Sequence, residues 1–397
     1  MIQSFAKSML LPTVILMDVL GGAEMDLFVP SFPELQARFD LSPFLLEALL
    51  SVNFIGFFLS LLFIGGLADR YGRKPIILTG LLIFSIGSLL CVWAPSYPFL
   101  LAGRFLQGMG VAAPATLYFL IIADAYPLQQ QLYLMAMLNG IINASIGAAP
   151  VVGSYITLYF HWRGNFIALL LLGLATLVMT VFFIPSHTLL SQNKTKAQGS
   201  QTSLLRSKPL WMMIIFSLCL NVPYWIFVGM SPILYMQDLG VSLSQFGFYQ
   251  GALASIYAVG SIFAGLMVSR YNQKKMLGVS NLICMAGAVM IALAAFINSA
   301  DPLLITLTLL FYTVGAIMPN TILYPLCINY LPQAKGRVAA IIQGGRLILT
   351  ALSLEVAGYF YQGSFQQIGV LLIGFIMVAV ITLFAMTRND ELMHSLR

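Results

Sequence analysis

Charge is what this sequence has least of. Only 8% of its 397 residues are Asp, Glu, Lys or Arg, against roughly 25% in an average soluble domain. With 60% hydrophobic residues, such a chain needs lipid as its solvent. Cysteine and histidine are scarce too. Cys91, Cys219, Cys284 and Cys327 stand singly in or beside hydrophobic stretches, without metal or redox spacing, and read as buried inert thiols. The three histidines are scattered near the ends of those stretches, which supports neither a metal site nor His-based catalysis. No Gly-x-x-x-x-Gly-Lys-Ser/Thr loop is present, nor a soluble domain to hold one, so ATP-driven chemistry has no seat. Neither cofactor nor metal is expected. A membrane-embedded enzyme would need Asp or His clusters in its loops, and the sequence has none.

What the chain does have is long apolar stretches. Twelve can be drawn, at 8–29, 44–68, 76–93, 97–122, 132–158, 165–184, 210–234, 244–268, 276–297, 302–328, 337–360 and 366–386. Each is long enough to cross a ~30 Å hydrocarbon core as a helix. Barrel strands alternate over about 10 residues, whereas these stretches are continuously apolar and Gly-rich, so the fold class expected is an all-α polytopic membrane protein. No small-residue cleavage site follows the first stretch before Pro30-Ser31-Phe32-Pro33, and it reads as a retained helix.

A net charge of +6 would suggest nucleic acid in a soluble protein. Here it tracks topology. With the N-terminus in the cytoplasm, fifteen of the nineteen basic residues fall on that side: Lys7, Arg70, Arg73, Lys74, Lys194, Lys196, Arg206, Lys208, Arg270, Lys274, Lys275, Lys335, Arg337, Arg388 and Arg397. Only Arg38 and Arg163 fall outside, which is the positive-inside pattern of a bacterial inner-membrane protein with both termini cytoplasmic.

The long polar connection runs from Pro185 to Pro209 and has linker composition. It divides the chain into 1–184, a cytoplasmic linker at 185–209, and 210–397, with six stretches on either side. The halves echo each other. Gly65, Arg70, Tyr71 and Lys74 after the second stretch recur as Gly265, Arg270, Tyr271 and Lys274 after the eighth. Cytoplasmic placement explains the bases but not the shared Gly or the Arg-Tyr pair. Parallel six-helix repeats are the architecture of alternating-access carriers.

Gly65-Gly-Leu-Ala-Asp69-Arg70-Tyr-Gly72-Arg73-Lys74-Pro75 resembles the loop 2–3 signature of the major facilitator superfamily. Arg104-Phe-Leu-Gln107-Gly108-Met-Gly110 resembles the helix 4 motif of its drug:proton antiporter branch. Ile146-Gly147-Ala-Ala149-Pro150-Val-Val-Gly153 resembles the branch's helix 5 motif, with Ala149 where that motif has Gly. Asp18 and Asp26, eight residues apart, and Glu355 in the eleventh stretch resemble acids of the Bcr/CflA and MdfA-like multidrug exporters. The resemblance implies two six-helix bundles. It also implies that Asp69, Arg70, Arg73 and Asp124 form a gate latch, with Arg73 pairing to Asp124 and a helix N-terminus stabilising Asp69.

An ionisable group at bilayer depth costs at least ~2.5 kcal/mol and usually faces a cavity or a partner. Asp18 and Asp26 differ by about 80° around a helix and about 12 Å along it, and both can line one wall. A carboxyl in apolar surroundings can exchange a proton near neutral pH, which makes either a candidate carrier. Glu24 stands about 160° from Asp26, at a helix interface or the outer edge. Arg104, about 10 Å inside the fourth stretch, is expected to pair with Asp26 or the first helix's backbone, with Gln107 nearby, as a proton-released contact or a static one. Arg346 either meets an anionic substrate group or pairs with a carboxylate of another helix. Glu355 faces the cavity or packs. Trp225 is the aromatic singled out for substrate, because Asn221 and Pro223 before it mark a face turned from lipid.

The leading expectation is proton-driven export of amphipathic small molecules, with Asp18, Gln107, Asn221, Trp225, Arg346 and Glu355 as substrate residues. Export or import of one metabolite or siderophore is the alternative. The partners expected are a small molecule, protons and the bilayer, without nucleic acid, the chain working as a monomer.

Overall fold

The computed structural model describes residues 2–185, 207–268, 270–331 and 335–388. Most of the 185–209 connection, with Lys194, Lys196 and Arg206, lies outside the described residues, as does Arg397. Among the described residues the chain is helical throughout, without strands. The helices are α1 (Ile2–Asp26), α2 (Phe32–Phe39), α3 (Pro43–Tyr71), α4 (Arg73–Trp93), α5 (Tyr97–Ala125) and α6 (Leu128–Phe183). After the connection come α7 (Lys208–Pro232), α8 (Leu243–Val268), α9 (Gln273–Phe296), α10 (Pro302–Asn329), α11 (Lys335–Phe360) and α12 (Phe365–Thr387). Ten described helical spans are long and apolar enough to cross a membrane. α1, with its three acids, stands apart from those ten.

Caps set where these helices begin, and hydropathy marks only their apolar interiors. α3 starts behind Ser42, whose Oγ accepts from the Leu45 N–H at 3.3 Å, with Pro43 in its first turn. Asp301 caps α10 by accepting from Leu303 N–H at 2.9 Å, and Asn272 caps α9 through Lys275 N–H at 3.0 Å. Between α3 and α4, Gly72 adopts φ 90°, a turn that a side chain would strain.

α6 runs from Leu128 to Phe183 across a break at His161, where φ is 60° and ψ −179°. Glu34 of α2 holds the break. Its Oε2 accepts from the Trp162 N–H at 2.8 Å and its Oε1 lies 3.1 Å from His161 Nδ1. A backbone donor orphaned at the restart of the helix is thereby satisfied from another element.

The chain forms two compact units, Met1–Asn193 with Ser242–Gly251, and Lys194–Val241 with Ala252–Arg397. The second piece of the first unit, Ser242–Gly251, includes the start of α8, and glycine explains its placement. A Cβ on Gly247 would stand 2.7 Å from the Pro150 carbonyl oxygen, and one on Gly251 2.7 Å from that of Gly147. Backbones approach this closely only where no side chain intervenes. The tightest approaches in the first unit are Gly108, whose Cβ would lie 2.0 Å from Asn53 O, and Gly153, 1.9 Å from Leu27 O.

Candidate functional site

Three acids on α1 and one arginine on α5 are fully buried in the first unit: Asp18, Glu24, Asp26 and Arg104. The expected pairing of Arg104 with Asp26 is corrected by the geometry, because its partner is Glu24. Arg104 Nη1 stands 2.8 Å from Glu24 Oε1 and 2.8 Å from Gln107 Oε1. Its Nε donates to Leu49 O at 3.2 Å, and its guanidinium lies 4.0 Å from the Phe28 ring centre. Asn53 of α3 donates to both members of the pair, at 2.7 Å to Glu24 Oε1 and 3.1 Å to Arg104 O. Gln107 passes the network on to α4, donating to Ser88 Oγ at 2.8 Å. The 160° between Glu24 and Asp26 explains the choice. The face of α1 carrying Glu24 meets α3 and α5, and Asp26 turns away from it.

The other two acids have weaker company. Asp26 Oδ1 accepts from Gln250 Nε2 at 3.4 Å, within the same unit. Asp18 neighbours Tyr118 of α5, and neither of its oxygens meets hydrogen-bond geometry. Neither acid has a cation beside it among the described residues. Gln107, expected against substrate, is fully buried with both amide atoms engaged in the Arg104 network.

At one end of the first unit, Arg73 of α4 bonds Asp124 and the Leu120 carbonyl of α5. This is the contact the loop signature implied. Asp69 and Arg70 are exposed at the end of α3. In the helix 5 motif, Gly147 and Pro150 supply the carbonyls against which Gly251 and Gly247 pack, and Gly153 lies on Leu27 O.

In the second unit, Asn221 donates to Ser217 O of its own helix at 2.9 Å, and Trp225 meets Tyr224 edge-on with centroids 5.4 Å apart. Glu355 and Arg346 are half-buried on α11. Arg346 Nη2 donates to Gln343 Oε1 at 2.9 Å. Tyr257 of α8 and Tyr324 of α10 are its electrostatic neighbours, and Asn320 of α10 donates to the Tyr257 hydroxyl. The cluster around Arg346 was not legible beforehand, because Tyr257, Asn320 and Tyr324 lie on helices whose rotation the sequence does not reveal. A separate cavity of about 490 Å³ lies among α8, α9 and α10, lined by Phe263, Met267, Val279 and Ile317, with Lys275 at its edge. None of the expected substrate residues lines it.

Long apolar helices, a buried ion pair and a basic loop signature define a multi-pass helical membrane protein, and the family it matches makes it a transporter rather than an enzyme. The Major Facilitator Superfamily model matches residues 14–354, and the chain belongs to that family. It is similar to the multidrug resistance protein MdtL of Escherichia coli O9:H4 (strain HS), 28% identical over 277 residues, 70% of this chain and 71% of that one. MdtL of Shigella flexneri matches at the same 28% over the same shares. Among solved structures, the D-xylose-proton symporter superposes with a TM-score of 0.76 at 15% identity, covering 95% of this chain and 97% of that one. A bacterial homologue of the human lysosomal transporter Spinster gives 0.75 at 16% identity, over 97% and 96%. At such identities these likenesses speak for the fold alone.

Proposed function

We propose that the chain is a proton-coupled exporter of amphipathic small molecules, drugs among them, working by alternating access as a monomer in a bacterial inner membrane. In this reading twelve transmembrane helices form two six-helix bundles, 1–184 and 210–397, joined by the cytoplasmic linker 185–209, with both termini in the cytoplasm. The names of its relatives support drug export.

One observation carries the proton coupling. Of the three buried acids on α1, Glu24 is neutralised by Arg104, while Asp18 and Asp26 have no cation beside them among the described residues. A carboxylate at that depth without a countercharge must take a proton or a ligand's charge. Asp26 is assigned the proton, and Asp18 the proton or a cationic group of the substrate. Arg104 anchors the wall through Glu24 and Gln107. Asn221, Trp225, Arg346 and Glu355 are assigned substrate contacts. Asp69, Arg70, Arg73 and Asp124 form the gate, and Gly147, Pro150 and Gly153 let helices approach where the carrier rearranges.

The test uses the purified protein in vesicles with a cationic dye. Asp26→Asn mimics the protonated acid, so counterflow exchange should persist while accumulation driven by a pH gradient disappears. Full gradient-driven accumulation by Asp26→Asn would remove Asp26 as carrier.

A further inference from the structure

Arg104 and Arg346, each within a long apolar helix, are treated differently. Arg104 is fully buried and has a carboxylate, an amide, a carbonyl and an aromatic face around it. Arg346 is half-buried, and its hydrogen-bond acceptor among the described residues is a neutral amide oxygen, Gln343 Oε1, one turn back on its own helix. No described carboxylate lies within 4.0 Å of it. Glu355 is nine residues further on, about 13 Å along α11 and on the opposite side. A guanidinium carries five N–H donors, and a single amide oxygen leaves most of them for another acceptor.

The neighbours of Arg346 suit an anion. Tyr257, Asn320, Tyr324 and Gln343 are all half-buried polar residues, and Tyr257 and Tyr324 lie within electrostatic range of the guanidinium. Asn320 donates to the Tyr257 oxygen, which leaves the phenol's own hydrogen to donate to another acceptor. Guanidinium and phenol together present what a planar or tetrahedral oxyanion accepts. A cationic ligand group would meet repulsion here.

We propose that Arg346, with Tyr257, Gln343 and Asn320, is an oxyanion subsite, and that the molecule carried has a carboxylate, sulfonate or phosphate-type group on an apolar body. This rests on reading the chain as a small-molecule carrier and names the class of its cargo.

The test compares naphthalene-2-sulfonate with naphthalene-2-sulfonamide, nearly equal in shape and different in charge, by equilibrium dialysis against the full chain in nanodiscs of neutral lipid. The sulfonate should bind roughly ten- to a hundredfold more tightly, the ratio expected of a hydrogen bond to a charged group. Arg346→Gln should abolish that preference, and Arg346→Lys should restore part of it. Tyr257→Phe, which keeps the charge, should weaken the sulfonate a few-fold. Sulfonate binding no tighter than sulfonamide binding, including binding of neither, overturns the subsite. Loss of sulfonate binding when phosphatidylglycerol is added assigns the site to a lipid headgroup and overturns the cargo claim. Uptake into vesicles is read separately. Sulfonate bound through Arg346 but not moved by any gradient removes its role as cargo, whereas movement of the cationic dye in the same vesicles shows that the carrier reading survives.

Discussion

Glu24 and Asp26 are two positions apart and of the same charge, yet burial means different things for them. Glu24 shares one oxygen between Arg104 and Asn53, at 2.8 and 2.7 Å. Removing one partner of a buried pair leaves an uncompensated charge, which costs about 3–5 kcal/mol. Glu24→Gln should therefore lower the unfolding temperature of the detergent-solubilised protein markedly. Asp26→Asn gives up only a 3.4 Å contact with Gln250 and should cost under about 1 kcal/mol. Equal melting temperatures for the two variants would contradict this division. That the two acids face apart was legible from helical angle alone. Which of them meets Arg104 was not, because the rotation of α1 is set by packing. Gly21 lies against Ala115 of α5 and Gly22 against Ile142 of α6, and those contacts turn Glu24 toward the arginine.

At the scale of elements, the helix interiors were readable and the connections less so. The boundary between the stretches 132–158 and 165–184 brackets His161, where α6 breaks. The apolar pattern therefore marked the break, although nothing in it indicated a backbone at φ 60°. The short helix α2 went unread, and its signals were local: Pro33 in the first turn, Glu34 near the start, Arg38 in the last turn, and Asp40 in the left-handed conformation at the end. Because it is only eight residues long, it has no hydropathy signature. Its buried Phe32 and Leu35 nevertheless fix Glu34 where it closes the turn. At φ 60° and ψ −179° a non-glycine residue stores roughly 1–3 kcal/mol. The His161 side chain is 79% exposed, and its contact with Glu34 is worth less than that. His161→Gly should accordingly raise the unfolding temperature, provided the Glu34 bond to Trp162 N–H survives. A lower melting temperature would show that the imidazole contact outweighs the strain.

For the whole molecule, the duplication read from Gly65, Arg70, Tyr71 and Lys74 marks equivalent ends of α3 and α8. Neither Gly65 nor Gly265 has an atom within 4 Å of where a Cβ would stand, so close packing in this conformation does not account for the shared glycine. The division into compact units departs from the polar connection at Ser242–Gly251, which composition alone could not reveal, since the reason is the fit of two glycines against two carbonyls. The buried ion pair has a further consequence, for synthesis. Its members are 80 residues apart in the chain, several seconds of elongation at about 5–20 residues per second. In the proposed twelve-span topology α1 would enter the bilayer during that interval with three acids and no arginine, and a charge near a helix centre, as at Asp18, disfavours insertion by about 2.5–3.5 kcal/mol. In that topology α1 would lack the partner of Glu24 until α5 is made. In nascent chains stopped near residue 100, a tag at Asp40 should be found on both sides of the membrane, and in chains stopped beyond α5 on one side only. A single orientation already present in the shorter chains would mean that α1 commits to the membrane without its partner.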